Sequence, residues 1–267
     1  MNTPTRGRGG PLAAHRQATI VAEVNSRGAV TVAELVDRFG VSDMTIRRDL
    51  DALDSSGLLH KVHGGATSVA LGSVHEPGFD AKLSQESAAK QAIAAAAAAL
   101  VQPDSAIGIG AGTTTHALAR HLLGIEKLTV VTNSVRIADI FHRDTTRSDR
   151  TVVLIGGVRT PSDALVGPIA TAALQSLHLD QLFLGAHGID PEHGLSTPNL
   201  MEAETNRAFI AASRQVVVVA DHTKWGTIGL STFAGWPDVH TVVTDDGLPG
   251  AARRAMKGTG CELVIAR

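Results

Sequence analysis

Seven short apolar runs, separated by segments with helical spacing, restrict the fold of this 267-residue chain more than any other feature. The runs consist mainly of consecutive Val, Ile and Leu, which predicts strands buried on both faces. Strands of this kind with helices between them form a mostly parallel sheet, so we predict an α/β domain over residues 84–267. The predicted strands are Ser105–Gly110, Leu128–Thr132, Thr151–Gly157, Leu179–Ala186, Val216–Ala220, Thr241–Thr244 and Glu262–Ala266.

Glycine and polar residues lie at the ends of five of these predicted strands. Ligands of such sheets bind at the carboxyl ends of the strands. In Gly110–Thr115, the glycines let the backbone approach an anion, and helix-start amides and threonine hydroxyls can bind phosphate. Each segment alone could be a tight turn or a helix cap, but together they indicate a small, anionic, polyhydroxylated ligand. The other four segments are Thr132–Ser134, Gly156–Gly157, Gly185–Gly188 and Asp221–Lys224.

Residues 14–66 have the pattern of three short helices followed by a hairpin. The first helix is predicted over residues 14–26. A capping box formed by Thr31 and Glu34 begins the second helix, and Gly40 ends it. Ser42 begins the third helix, and residues 58–65 form a hairpin that ends in two glycines. This order predicts a winged helix-turn-helix.

The third predicted helix has one apolar face and one polar face. Ile46, Leu50 and Leu53 form a narrow stripe at helical spacing that must be buried, whereas Arg47 and Arg48 lie on the other side. On its own, this pattern is equally typical of a solvated surface helix. The helix before it and the wing after it favour insertion into the major groove of DNA. The candidate DNA-binding residues are Ser42, Asp43, Met44, Thr45, Arg47, Arg48, Lys61 and His63.

The charge balance excludes a globally basic DNA-binding protein. The formal net charge is −2, and residues 1–66 carry eight Arg and Lys against seven Asp and Glu, a net charge of +1. DNA binding must therefore depend on the placement of charges and on pairing of subunits. We expect a homo-oligomer, either a dimer or a tetramer.

The remaining composition predicts a cytoplasmic protein without membrane association. The single cysteine, Cys261, allows no internal disulfide, and no apolar run approaches the roughly 18 residues of a membrane span. Residues 1–13 are predicted to be a flexible tail, and residues 67–83 an irregular linker. The twelve histidines show no metal-binding spacing, so we expect neither a metal nor a cofactor.

The N-terminal motifs resemble those of the DeoR family of bacterial transcriptional regulators. The matching stretch is VTVAELVDRFGVSDMTIRRDLDALDSSGLLHKVHGGA, residues 30–66, with the TIRRDL core and the closing HGGA in order. The family's wing usually carries an arginine before the His-Gly-Gly. This chain has Lys61-Val62-His63 there, which keeps the charge but not the bidentate guanidinium.

The C-terminal half resembles the sensor domain of the same family. The matching segments are GAGTTTHALARHL, VVTNSVRIA, LIGGVRTPSDALVG, DQLFLGAHGID, GLSTPNLMEAETNRAFI and VVVVADHTKWG. The resemblance implies a sugar-phosphate isomerase-like fold that binds a phosphorylated sugar. The residues it implies for the effector site are Gly110, Gly112, Thr113, Thr114, Thr115, Asn133, Gly157, Gly185 and Lys224.

An active isomerase is the main alternative to a binding-only sensor. Related ribose-phosphate isomerases carry Asp-Gly-Ala-Asp-Glu at the fourth strand end, where this chain has Leu184-Gly185-Ala186-His187-Gly188. An aldose–ketose isomerisation needs a base near the carbon-bound proton, and Glu202, Glu204 or His187 could supply it. We expect no catalysis, because the usual carboxylates are missing. The expected function is a repressor of a carbohydrate-metabolism operon that binds operator DNA and responds to a phosphorylated sugar, and a nucleoprotein-organising factor is a third hypothesis.

Overall fold

The computed structural model describes residues 13–27, 29–56, 58–62, 64–67 and 78–267 of the chain. The chain divides into two compact units, residues 1–72 and 73–267. Most of the predicted tail and His63 lie outside the described residues.

The first unit contains three helices and a small antiparallel sheet. The helices are α1 (Ala13–Arg27), α2 (Val32–Phe39) and α3 (Asp43–Ser55). The strands are β1 (Ala29–Thr31), β2 (His60–Val62) and β3 (Gly65–Thr67), in the order β1-β3-β2. The predicted helices and the hairpin are confirmed, and β1 extends the hairpin by a third strand that the sequence did not indicate.

The predicted caps fix the turn between α2 and α3. Thr31 and Glu34 form the capping box, and Gly40 ends α2 in the left-handed conformation with φ of 62°. Ser42 then caps α3 by accepting a hydrogen bond from the amide of Thr45. Local hydrogen bonds thus cap the end of α2 and the start of α3.

The buried stripe of α3 packs into the core of the first unit. Ile46 and Leu50 are completely buried, and Leu53 is nearly so, together with Ile20 of α1 and Leu35 of α2. One charged pair shares this interior, a feature that the apolar pattern did not predict. Arg16 Nε donates to Asp49 Oδ2 at 2.5 Å, with both side chains less than one tenth exposed.

The second unit alternates helices and strands, as predicted. Its helices are α4 (Phe79–Leu83), α5 (Ser87–Ala98), α6 (Thr113–His121), α7 (Val135–Arg143), α8 (Pro168–Leu174), α9 (Leu200–Ala211) and α10 (Gly250–Lys257). Its first strands are β4 (Ala106–Ile109), β5 (Thr129–Thr132), β6 (Thr151–Leu154), β7 (Val158–Arg159), β8 (Leu165–Val166) and β9 (Leu179–Leu184). The later strands are β10 (Gly188–Asp190), β11 (Gly194–Thr197), β12 (Ser213–Val219), β13 (Ser231–Ala234), β14 (Thr241–Asp245) and β15 (Glu262–Ala266).

The seven predicted strands form one parallel sheet in the order β15-β14-β12-β9-β4-β5-β6. The inner strands of the sheet are buried on both faces, whereas β6, which ends the sheet, is largely exposed, contrary to the prediction. In β9, Leu182 and Leu184 join one apolar cluster, whereas Phe183 between them joins the other. The fold class, a winged helix-turn-helix followed by an α/β domain with a parallel sheet, is confirmed.

Six elements of the second unit were not predicted. The strands β7 and β8 form an antiparallel hairpin, and β10, β11 and β13 form a small antiparallel sheet. The helix α4 lies within the stretch that was predicted to be an irregular linker. Among the described residues, no helix combines the length and the apolar character needed to cross a membrane.

Candidate functional site

The polar side of α3 is exposed, as predicted for a surface that meets DNA. Met44 is 61% exposed, a large value for an apolar side chain, and Arg47 and Arg48 are exposed beside it. Ser42 and Thr45 are engaged with each other, because their hydroxyl oxygens lie 2.9 Å apart. These two hydroxyls therefore define the start of the helix, while the longer side chains project beyond it.

The two adjacent arginines of α3 have different surroundings. Arg47 Nε donates to Asp43 Oδ1 at 2.5 Å, and this hydrogen bond raises the pKa of Arg47 and lowers the pKa of Asp43. Arg48 has no hydrogen-bond or ion-pair partner among the described residues. Its exposed guanidinium is therefore available for a new contact.

The wing contributes one described cation to this surface. The ammonium of Lys61 contacts the carboxylate of Asp51 on α3, so the hairpin is tied to the helix it follows. Exposed pairs of this kind are weak, and a phosphate can replace the carboxylate at little cost. Both Arg47 and Lys61 can therefore exchange an internal partner for DNA.

In the second unit, a cleft opens at the carboxyl ends of the parallel strands. It contains about 880 Å³ of empty volume, including space open to solvent. Six of the nine predicted effector-site residues line it: Gly112, Thr113, Thr114, Asn133, Gly185 and Lys224. The fold therefore brings together residues from four segments that are far apart in the sequence.

A loop and a helix start form one wall of the cleft. The amide of His116 donates to the carbonyl of Gly112 at 3.0 Å, so the three preceding amides of α6 have no acceptor within the helix. Asn133 fixes the loop, because its Oδ1 accepts from the amide of Ala111 at 2.9 Å and its Nδ2 donates to Leu165 at 3.1 Å. The wall can bind an anion through the amides and hydroxyls of Thr113 and Thr114.

Three predicted effector-site residues do not line the cleft, and each has a structural role. A Cβ at Gly110 would lie 2.4 Å from Leu184 Cδ2, so its glycine allows close packing of neighbouring strands. Thr115 is fully buried and donates to the carbonyl of Gly112 at 3.1 Å. Gly157 has φ of 146° and would place a Cβ 2.5 Å from the carbonyl oxygen of Val166.

A carboxylate occupies another part of the cleft lining. Glu202 on α9 accepts a hydrogen bond from Thr197 Oγ1 at 2.7 Å. Its other oxygen accepts from Ser162, and from Thr160 at 3.4 Å. A carboxylate with hydroxyl neighbours suits the hydroxyl groups of a polyol, which can both donate and accept hydrogen bonds. Of the three candidate bases, Glu202 and His187 line the cleft and Glu204 does not.

The helix α4 supplies two lining residues that the sequence did not reveal. Phe79 and Lys82 both face the cleft, although they precede every strand of the sheet. Five residues are too few for a helical period to be recognised in the sequence. The sequence around Lys82 therefore contains no pattern that predicts its place in the cleft.

The lysines around the cleft produce a cationic environment. Lys224 lies in a 3₁₀ turn after β12, where Asp221 caps the turn by accepting from the amide of Thr223. Burial is the main cause that lowers the pKa of Lys90; Asp221 opposes the shift, and repulsion from Lys224 and Lys82 adds to it. Lys90 is thus within electrostatic range of both Lys82 and Lys224, the two lysines that line the cleft, and an anionic ligand there would offset their charge. Within the described ranges, no group of three His, Cys, Asp or Glu side chains is arranged to hold a metal.

Comparisons with known proteins cover both units. The model of the DeoR-like helix-turn-helix domain matches residues 16–70, and the model of the DeoR C terminal sensor domain matches residues 85–246. An uncharacterized HTH-type transcriptional regulator, YgbI of Escherichia coli, is 40% identical over 94% of this chain and 97% of its own length. A lactose phosphotransferase system repressor of Staphylococcus aureus is 32% identical over 83% of this chain and 88% of its own length.

One solved structure illustrates the more distant similarities. Ribose 5-phosphate isomerase A from Neisseria gonorrhoeae aligns with 53% of this chain and 54% of its own chain, at 19% identity and a TM-score of 0.37. A similarity of this size supports no conclusion about activity.

Proposed function

The chain belongs to the DeoR family of transcriptional regulators, and from this membership we propose that it represses a carbohydrate-metabolism operon in response to a phosphorylated sugar. The sugar binds in the cleft of the second unit and changes the affinity of the first unit for operator DNA. The named function of the lactose phosphotransferase system repressor supports the carbohydrate assignment.

The composition of the cleft is the observation that carries the proposal. A helix start with threonine hydroxyls and the ammonium of Lys224 suit a phosphate, and the carboxylate of Glu202 suits sugar hydroxyls. These groups lie at the strand ends, where parallel sheets bind ligands. The proposed effector contacts are made by Gly112, Thr113, Thr114, Asn133, Gly185 and Lys224.

The DNA contacts are proposed for the exposed side of α3 and for the wing. Arg47 and Arg48 address base edges or phosphates in the major groove, and Lys61 and His63 contact the backbone beside it. The capping residues Ser42, Asp43 and Thr45 stand at the helix start, where Met44 is exposed. Two copies of α3 in a homo-oligomer would recognise half-sites separated by a helical turn or a multiple of it. Because its target is chromosomal DNA, we propose that the protein acts in the cytoplasm.

A gel-shift assay with DNA from upstream of the chain's own gene tests this function. We expect salt-sensitive binding to at least one fragment, and a change of that binding when one member of a panel of sugar phosphates is added. If every upstream fragment stays unbound at low salt, the regulatory proposal is wrong.

An isomerase is the second candidate, because Glu202 places a carboxylate in the cleft. It requires that a bound sugar phosphate is converted to its isomer. Incubating each ligand that binds by calorimetry with the full chain, and separating the products by chromatography, distinguishes the two functions. Unchanged ligand after long incubation would exclude the isomerase, and steady conversion would establish it.

A further inference from the structure

The short helix α4 is anchored at both ends to other parts of the second unit. The amide of Phe79 donates to the carbonyl of Pro161 at 3.3 Å. At the other end, the ammonium of Lys90 donates to the carbonyls of Lys82 at 2.6 Å and Gln85 at 2.5 Å. Because the anchors use backbone atoms, α4 keeps its place independently of the identity of its own side chain at position 82.

Side-chain contacts hold α4 against the helices beside the cleft. Phe79 is almost fully buried, with its ring 5.4 Å from the ring of His116 on α6. The guanidinium of Arg136 on α7 lies 4.3 Å from the centre of the Phe79 ring, and Arg136 Nε also donates to Asp163 at 2.5 Å. The helix is therefore a fixed part of the cleft wall, which presents Lys82 three residues after its aromatic anchor.

Lysines from two elements contribute to the lining of the cleft. Lys82 of α4 and Lys224 after β12 both line it, and the carboxylate of Glu202 in the same lining accepts hydrogen bonds from Ser162 and Thr197. Both lysines also lie close enough to the buried Lys90 to repel its ammonium. A dianionic phosphate is the ligand that offsets several neighbouring ammonium groups at once.

We propose that Lys82 binds the phosphate of the effector together with Lys224 and the start of α6, which makes α4 part of the effector site. This inference rests on the proposed function, because it names a further residue of the same site. The helix α4 is the first helix of the second unit in chain order, so Lys82 is the effector contact nearest in sequence to the DNA-binding unit.

Isothermal titration of the full chain with inorganic phosphate tests the role of Lys82. We expect Lys82→Gln to weaken phosphate binding about tenfold, the loss typical of one charge-assisted hydrogen bond. Lys82→Arg retains the positive charge and should stay close to the wild type. Lys257→Gln, a change of an exposed lysine at the end of α10, is the matched control and should leave the affinity unchanged.

The variant Lys224→Gln separates this inference from the proposed function. If it weakens phosphate binding while Lys82→Gln binds like the wild type, Lys82 has no role and the effector site stands without it. If the wild type shows no saturable phosphate binding, both the site and the role of Lys82 are wrong. Thermal melts of each variant show whether a loss of affinity reflects unfolding, and a weakened Lys82→Gln that melts like the wild type supports the proposal.

Discussion

The neighbouring residues Arg47 and Arg48 show how one sequence motif can contain two kinds of basic group. Arg47 pairs with Asp43 one turn earlier on the same helix, so it must exchange or share this partner when it contacts DNA. Arg48 is exposed and has no such partner among the described residues. We therefore assign the larger share of base recognition to Arg48.

We predict that Arg48→Ala weakens specific operator binding by about 1–3 kcal/mol, since a guanidinium that bridges a guanine edge contributes about that much. The measurement is fluorescence anisotropy with a labelled operator at fixed salt. Arg254→Ala, which removes an exposed arginine from α10, is the control and should bind like the wild type. An Arg48→Ala protein with wild-type affinity would show that α3 recognises DNA without this side chain.

The buried pair of Arg16 and Asp49 has a different role, because it stabilises the unit that carries α3. Gln17 Nε2 also donates to Asp49 Oδ1 at 2.9 Å, so the carboxylate has partners for both oxygens. Removing one partner of a buried pair leaves an uncompensated charge, which is costly in a medium of low polarity.

We expect Arg16→Ala to lower the free energy of unfolding of the first unit by about 3–5 kcal/mol. Urea unfolding, followed by a probe in that unit, measures the change. Arg47→Ala breaks an exposed pair on the same helix and should leave the stability nearly unchanged. Equal stabilities of the two variants would mean that the buried pair contributes no more than the exposed one.

At the scale of elements, the hairpin β7–β8 links the sheet edge to the cleft. Its loop holds Thr160 and Ser162, which donate to Glu202, and Asp163, which pairs with Arg136 and Arg159. The hairpin can form only because Gly157 passes very close to the backbone of Val166. Gly156 and Gly157 do not line the cleft. The close approach of Gly157 to Val166 instead allows the hairpin that places Thr160 and Ser162 beside Glu202.

The two glycines of this pair should respond differently to substitution. Gly157→Ala should destabilise the second unit by about 1–3 kcal/mol or more, because the new Cβ would lie 2.5 Å from a carbonyl oxygen at a φ of 146°. A Cβ at Gly156 would lie 3.5 Å from its nearest neighbour, Ile169 Cγ2, which is an ordinary contact. Gly156→Ala should therefore change the stability by less than about 1 kcal/mol. Thermal unfolding compares the variants, and a tolerated Gly157→Ala would contradict the close approach.

The strand-end rule explains which parts of the fold and of the site could be predicted. Long apolar runs specify buried parallel strands, so all seven strands of the main sheet were identified, and the polar residues after them locate the cleft. The hairpin strands β7 and β8 have only two residues each, too few for a periodic pattern. Glycine was an ambiguous signal, because Gly112 faces the cleft whereas Gly110 and Gly157 serve close packing.

Long-range contacts account for the remaining differences. Phe79 and Lys82 reach the cleft from a stretch that was predicted to be a linker, because Pro161, which is distant in the sequence, and the buried Lys90 hold α4 in place. The pair of Arg16 and Asp49 likewise joins residues 33 positions apart. Such contacts depend on tertiary packing, and no local pattern encodes them.

At the scale of the whole molecule, the proposed function requires that the two units are energetically coupled. A ligand shifts DNA binding only if it prefers one of the states that differ in DNA affinity. Such coupling is reciprocal, so DNA must change the affinity for the effector by the same factor that the effector changes the affinity for DNA. An effector that lowers the DNA affinity and one that raises it are both compatible with such coupling. A repressor that leaves its operator when the effector binds requires that the effector-bound form has the lower DNA affinity.

The most direct test of this account is a titration of labelled operator with the wild type and with Lys224→Ala, each with and without a sugar phosphate that calorimetry shows to bind. We predict that the ligand changes the operator affinity of the wild type by about 5- to 150-fold, the usual range of allosteric coupling. At the same ligand concentration, Lys224→Ala should bind the operator as the free wild type does. An operator affinity of the wild type that stays constant when the ligand is bound would contradict the central claim.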